Sequence, residues 1–550
     1  MKYILLFFLL FSCVFSMTRG QASENVVITS TKNKIQVLTN EKNGELLINV
    51  SPKDVIKFKA SGLVRYSDFG ARGDGKTDDT DAIVATHAFA NQHGLSVKAD
   101  DGALYYIGGK NRTVVVRTDT DFGTAAFIID DTDVQNRNAY VFMVSSSLQP
   151  FKLEGISSLE KNQEKINVSL PGTCLITVTN SNVKRYIRFG ANQNNGSSQT
   201  DIFIVYKDGK VDMNAPIIWD FDQITDITAL PIDETTLTIS GGRFTTIANS
   251  AESKYNYYSR GIAIRRSNVI VKGLEHHIKG EGDHGAPYGG FINIGDCSYI
   301  TVRNTILTGH KTYETIGSAG VPVSMGSYDI SISRALNVSF VNCSQTNDIN
   351  DSRYWGIIGS NYCKNLVYDS CTFSRFDAHM GVANATIRNS TLGHQGINAI
   401  GSGTFIVENS TIYGRNLINL RSDYGSTWQG ELLIRNCVFV PSGVRTSSAS
   451  LIGGSYSGQH DFGYTCYMPE KITIENLHID DSKHSEDYQG PSVFSNFNPK
   501  ITDDSFHEKF PYVKTREVIL RNVTIASGNS LRISDNPFMF KDVKISSHTH

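Results

Sequence analysis

The sequence predicts an all-β chain wound into a right-handed parallel β-helix, and three observations predict it. Short β-rich runs that stop at Asn, Asp or Gly recur through the second half, at Gly273, Asn304, Asn342, Asp369, Asn389, Asn409, Asn436, Asn476 and Asn522. Many are preceded by a second β pattern, such as GIAI at 261, FINI at 291, DISI at 329, GINAI at 396 and LINL at 417. No helical period separates them. The anchors stand 20 residues apart at their tightest and 27 to 46 apart elsewhere, which marks a solenoid with loops projecting from it. Parallel crossovers are nearly always right-handed.

Along the chain, MKYILLFFLLFSCVFSMTRG opens with Lys2 and the apolar run Ile4 to Val14, too short to span a bilayer. It reads as an export signal over residues 1–22, with a lipid anchor at Cys13 as the alternative to simple secretion. The expected location is secreted, periplasmic or outer-membrane-associated in a bacterium. Residues 23–99 read as short strands followed by a cap, 100–230 as an inserted β-rich region, and 231–550 as the solenoid. TVVVRT, AFIID, TCLITVT and DIFIVY carry the insertion's β pattern off the period. No other apolar run is long enough to cross a membrane. A formal charge of −2 over 550 residues gives no nucleic-acid footprint. Seven cysteines remain beyond Cys13; an odd number without paired spacing argues for buried thiols rather than disulfides or zinc. The sequons at Asn389 and Asn409 fall on the repeat's turns and read as turn chemistry.

A solenoid exposes an unpaired strand edge at its first rung, which something must cover. The acidic turn with Asp68, Asp74, Asp78 and Asp79 leads into a helix expected over Thr77 to Gln92, with Ala82, Ile83, Phe89 and Ala90 on one face. The stretch DFGARGDGKTDDTDAI, about fifteen residues, resembles the N-terminal signature of pectate-lyase-like parallel β-helix proteins. The resemblance implies that the turn and helix cap the barrel and that the carboxylates are architectural. It leaves the substrate open, because lyases, hydrolases, epimerases and tailspikes share that fold.

Chemistry is expected on three consecutive rungs, SRFDAHMGV from Ser374, GHQGINAIG from Gly393 and GRNLINLRS from Gly414. Alternation sends Phe376, Ala378, Ile397, Ala399, Ile418 and Leu420 inward. The outward residues then form one column of Arg375, His394 and Arg415 and another of His379, Asn398 and Asn419, with Gly396 beside Asp377. Neighbouring rungs are about 4.8 Å apart, so columns touch. Arg353, Trp355 and Arg421 border this face, together with Asp348, Asp351 and Tyr354. Guanidinium forks neutralise a uronate carboxylate. His394, its pKa depressed by two arginines, is the expected base for the C5 proton, and His379, raised by Asp377, the proton donor. With the resemblance, this points to an exported polysaccharide lyase acting on an acidic, uronate-containing polysaccharide or oligosaccharide. Its catalytic groups are His394, His379, Arg375 and Asp377, with Arg353, Trp355, Asn398, Arg415, Asn419 and Arg421 on the substrate.

The alternatives are a glycoside hydrolase using two of Asp348, Asp351 and Asp377, and a non-catalytic carbohydrate-binding or tailspike-like protein. The leader argues against a phage protein, which needs none. EHHIKGEGDHG clusters His276, His277, Glu281, Asp283 and His284, but its spacing matches no standard zinc pattern, so no metal ligand is assigned. GHKTYE, with His310, Lys311 and Tyr313, is a polar loop beside the groove. No cofactor is required; calcium dependence is left open, although the acidic turn lacks the bidentate Glu of an EF-hand.

Overall fold

The computed structural model describes residues 25–29, 35–40, 46–190, 193–252, 257–282, 288–317, 320–356, 358–441 and 448–548. The expected leader, Cys13, Asp283 and His284 lie outside them. The described chain is a parallel β-helix. Its rungs each supply up to three strands, one per face. The second face follows the first in each rung and stacks 306–307, 344–345, 372–373, 391–392, 411–412 and 438–439. The third precedes the first and stacks 262–264, 292–294 and 330–332.

The first face stacks 269–272, 300–303, 338–341, 366–369, 385–388, 405–408, 432–435, 472–475 and 518–521 in parallel register. Its inward residues form continuous buried ladders, one of them Val271, Val302, Phe340, Tyr368, Ile387, Val407, Ile434 and Ile474. The chain then turns at the anchors. Asn304, Asn342, Asn389, Asn409, Asn436, Asn476 and Asn522 have φ of 49° to 54°, a left-handed conformation that Asn tolerates better than most side chains. Their amides also stack. Asn476 Nδ2 donates to Asn436 Oδ1 at 2.8 Å and Asn522 Nδ2 to Asn476 Oδ1 at 2.9 Å. At the Asp369 rung the left-handed residue is Ser370, one position later, while the Asp369 carboxylate accepts from Asn389. All seven described cysteines are free and buried, as expected of small apolar side chains.

The acidic turn is architectural. Asp79 accepts from the amides of Arg72 and Gly73, Asp74 from those of Lys76 and Thr77, and Asp68 from that of Arg65. The cap has two helices. α1 (Pro52–Ser61) follows a small antiparallel sheet and was expected as strand; Ser51 caps its N-terminus and Gly62 its C-terminus. α2 (Thr80–His93) begins three residues later than expected, because 74–78 form a strand. Phe89 of α2 packs edge-on to Phe58 of α1 and against Phe69, sealing the first rung. Among the described residues no helix is long and apolar enough to cross a membrane.

The inserted region is smaller than expected. Strands Leu104–Ile107, Val114–Val116, Thr120–Asp130 and Phe142–Ser145 pair in parallel with the coil and belong to its early rungs. Within Thr120–Asp130 the turn residue is Gly123, with φ of 51°, so the Asn signal of the later rungs is missing there. The insertion proper is an antiparallel sheet of Phe151–Lys152, Asp226–Pro231, Cys174–Arg185 and Ser197–Val205, with its own core around Ile176, Phe203 and Phe221.

The cap also carries a proton-linked weakness. His87 in α2 is fully buried; Nε2 lies 2.9 Å from Tyr66 Oη and Nδ1 has no hydrogen-bond partner. Burial pushes its pKa down to about 3. The unfolded value is about 6.5, so the unfolded chain binds the extra proton first and stability falls as pH drops from about 6.5 towards 3. Thermal melts of His87→Gln between pH 7 and 4 should show a shallower loss than the unmodified protein. An unchanged slope contradicts this assignment.

Candidate functional site

The insertion is bolted onto the turn between the third and first faces. Lys364 Nζ lies 2.8 Å from Asp201 Oδ1, with both side chains 2 % exposed. Asp201 also accepts from the amides of Ile202 and Ile218, each at 2.8 Å. Asn365 donates to the Asn214 carbonyl, and Leu175, Ile202 and Ile204 pack on Leu336. Tyr186 closes the seam. Its hydroxyl abuts Gly381 so closely that a Cβ there would lie 2.1 Å away.

Docking creates two clefts on either side of residues 185–190. The first, 440 Å³, is lined by Trp219, Tyr464, Tyr467, Gln429, Arg185, Lys161, Asp220 and Asp222. Arg185 lies over the Trp219 ring at 5.2 Å and is held there by Gln199 and the Gly463 carbonyl. Phe221 is fully buried in the insertion's core, so its neighbours Asp220 and Asp222 both face outward and are exposed. The Lys161 amide donates to Asp220 Oδ1 at 2.7 Å. The dividing segment is tied down by Ile187 N to Phe462 O and Phe189 N to Asp423 O.

The second cleft, 500 Å³, has Arg188, Asp423, Tyr456 and Phe462 in its walls. Beneath it runs a chain of ion pairs. Arg188 and Arg421 both hold Asp423, Arg421 reaches Asp377 at 3.1 Å, and Arg375 holds Asp377 at 2.8 Å. Tyr328 donates to Asp377, Trp355 Nε1 donates to Tyr328, and the Arg375 guanidinium lies 4.9 Å from the Trp355 ring centre. Burial alone would raise Asp377 and Asp423, but the guanidiniums hold both below the ordinary carboxylate range.

These contacts redraw the expected columns. Arg375 pairs with Gly396, and Asp377 with Asn398 and then Asn419. The second column therefore starts at Asp377, not His379; its Asn419 to Asn398 hydrogen bond, 2.8 Å, does form. The first column does not assemble. Two extra residues bulge between Leu392 and Gly396, which carries His394 away to the Ile349 carbonyl. Arg415 is exposed and reaches Ser448, and Arg353 is exposed on Asp351. Arg375, expected to face solvent, is 2 % exposed. His379 contacts Asn361 and the edge of Tyr424. Burial, then Arg421, push its pKa down to about 3, outweighing Asp377, so it is neutral rather than the expected proton donor. Trp219, Asp220, Asp222, Arg185, Arg188 and Asp423, which line the two clefts, are not among the residues expected from the sequence period. The one local signal was the sequence Trp-Asp-Phe-Asp at 219–222, two aromatic rings interleaved with two carboxylates.

No family model matches the chain. An alignment of 227 positions, covering 34% of this chain and 22% of the other protein, is 29% identical to a capsule KL64-specific depolymerase of Klebsiella phage P510. In solved structures, the chain is similar to the phi297 tailspike of a Pseudomonas phage. The TM-score is 0.51 at 14% identity, over 86% of this chain and 82% of that one. The tailspike of Pseudomonas phage LKA1 gives 0.49 at 14% identity, over 88% and 84%. The phi297 likeness carries the fold alone.

The buried clamp gives a direct test. Removing one partner of a buried ion pair costs about 3–5 kcal/mol, because the other charge is stranded. Lys364→Ala should lose stability on that scale and expose the insertion to limited proteolysis. The paired change Lys364→Met with Asp201→Asn should recover part of it. Wild-type melting and proteolysis of Lys364→Ala contradict the clamp.

Proposed function

We propose that the chain is a polysaccharide depolymerase that holds its glycan in the cleft between the inserted sheet and the coil. One observation carries the reading: a half-buried Trp219 beside two exposed carboxylates, Asp220 and Asp222, in a cleft of 440 Å³. Sugar rings stack an apolar face on an aromatic ring while their hydroxyls seek polar partners. Trp219, with Arg185 over one side of its ring, Tyr464 and Tyr467 line the cleft with aromatic surface, and Gln429 and Ser402 offer hydrogen bonds. The likeness to a phage capsule depolymerase supports the same substrate class, and the signature at 68–83 resembles proteins that include polysaccharide lyases and hydrolases. Export, expected from Ile4 to Val14, would bring the enzyme to an extracellular glycan.

Hydrolysis is the favoured reaction. Glycosidic cleavage needs two carboxylates flanking the bond, one giving a proton to the leaving oxygen and the other activating water or attacking carbon. Asp220, oriented by the Lys161 amide, is assigned base or nucleophile, and Asp222 the acid. β-Elimination is disfavoured because Arg375 is committed to Asp377 and the bulge carries His394, the expected base, away to the Ile349 carbonyl. A uronate in the glycan fits the cleft's cations Lys161 and Arg185, and predicts binding that weakens as salt rises.

Asp220→Asn and Asp222→Asn should each cut turnover by about 10² to 10⁴ with oligosaccharide binding kept, while Trp219→Ala weakens binding. Digests should gain reducing ends without the ultraviolet absorbance of an unsaturated uronate. His394→Ala should stay near normal. Ultraviolet-absorbing products and an inactive His394→Ala would return the β-elimination reading to the front.

A further inference from the structure

Away from both clefts, a polar cluster is buried at the corner between the second and third faces. His276 pairs in register with Phe244, so its ring points into the coil, stacked 3.9 Å from Phe291 at an interplanar angle of 4°. His310 lies 5.6 Å from the ring of Tyr288. Asp329 is fully buried, and its Oδ2 accepts from the Thr308 amide at 2.8 Å. His276 Nδ1 and His310 Nε2 both reach the same oxygen, Asp329 Oδ1, at 2.6 and 3.0 Å. The three atoms lie within 4.8 Å of one another.

The far side of each ring is occupied as well. His276 Nε2 meets Thr246 Oγ at 2.9 Å, and His310 Nδ1 meets Glu281 Oε1 at 2.8 Å. Imidazoles that bind metal almost always hydrogen-bond through the other nitrogen, often to a carboxylate, which fixes tautomer and orientation. Here both rings do so, and aromatic stacking and strand backbone hold them rigid.

We infer that His276, His310 and Asp329 form a binding site for one divalent cation of zinc type. Two imidazoles and one carboxylate suit zinc rather than calcium or magnesium, which prefer oxygen alone. The charges also balance, since a dication faces the carboxylates of Asp329 and Glu281. On binding, His276 shifts its single proton from Nδ1, where it donates to Asp329 Oδ1 in the metal-free chain, to Nε2, which then donates to Thr246 Oγ1. His310 keeps the proton on Nδ1, donated to Glu281, and any proton on Nε2 goes to solvent. The ligands come from three separate strands, so the cation would staple neighbouring rungs. The sequence stretch EHHIKGEGDHG supplies only His276 and the supporting Glu281, whereas His310 and Asp329 arrive from later turns of the coil.

The test uses the full chain and needs no activity. Chelator-treated protein is given zinc chloride, gel-filtered and analysed for metal; one zinc per chain and a higher melting temperature are expected. Cobalt(II) should give visible d–d absorption. Asp329→Asn and His310→Gln should lose the bound zinc, and Glu281→Gln should weaken binding by about 10–100-fold. His277→Asn, on an outward ring of the same strand, should bind normally. Zinc well below stoichiometry in the unmodified protein, or equal binding by Asp329→Asn, overturns the proposal in favour of a purely hydrogen-bonded network. If Asp329→Asn fails to fold, zinc content and the cobalt spectrum of the unmodified protein decide.

Discussion

A single buried ion pair, Lys364 with Asp201, sets where the inserted sheet meets the coil. Burying both charges is costly, and the cost is offset only if every remaining lone pair is used. Asp201 meets that condition by also binding the amides of Ile202 and Ile218. Ile218 immediately precedes Trp219. The carboxylate that anchors the insertion therefore also fixes the backbone that presents the aromatic ring and the two exposed aspartates. Clamp and cleft are parts of one construction, and a change in the first moves the second.

The coil contributes regularity. Each rung advances the chain by about 4.8 Å, and the left-handed asparagines keep successive rungs in register. A rigid face of this kind supports irregular loops without itself deforming. Residues 185–190 exploit this by bridging from the insertion to Asp423 and Phe462, which divides the groove into two clefts. The second cleft stands on an ion-pair chain of three arginines and two aspartates. Its members hold each other in place, so Arg375 and Asp377 build the floor of the groove and Asp423 alone among the carboxylates reaches its wall.

Much of the scaffold was legible because it repeats. The Asn anchors, the inward ladders, the buried thiols and the capping turn are local patterns that recur or carry their own turn chemistry. The face expected to carry the chemistry was harder to read. A bulge of two residues before Gly396 displaced His394, and alternation counted along one strand cannot reveal slippage against the next. Burial was also misjudged, since Arg375 looks outward by parity yet lies under Trp355. Trp219, Asp220 and Asp222 sit in the insertion, which has no period to align. The cluster of His276, His310 and Asp329 spans 53 residues and three strands, a separation invisible to any spacing rule.

The most direct measurement of the central claim is hydrogen exchange on the Asp222→Asn protein with and without a bound oligosaccharide product. Protection should appear in the peptides covering 217–222 and 464–467, on the two walls of the first cleft. Protection confined to 394–421, with 217–222 unchanged, would contradict the account and place the glycan on the exposed strands of the coil instead.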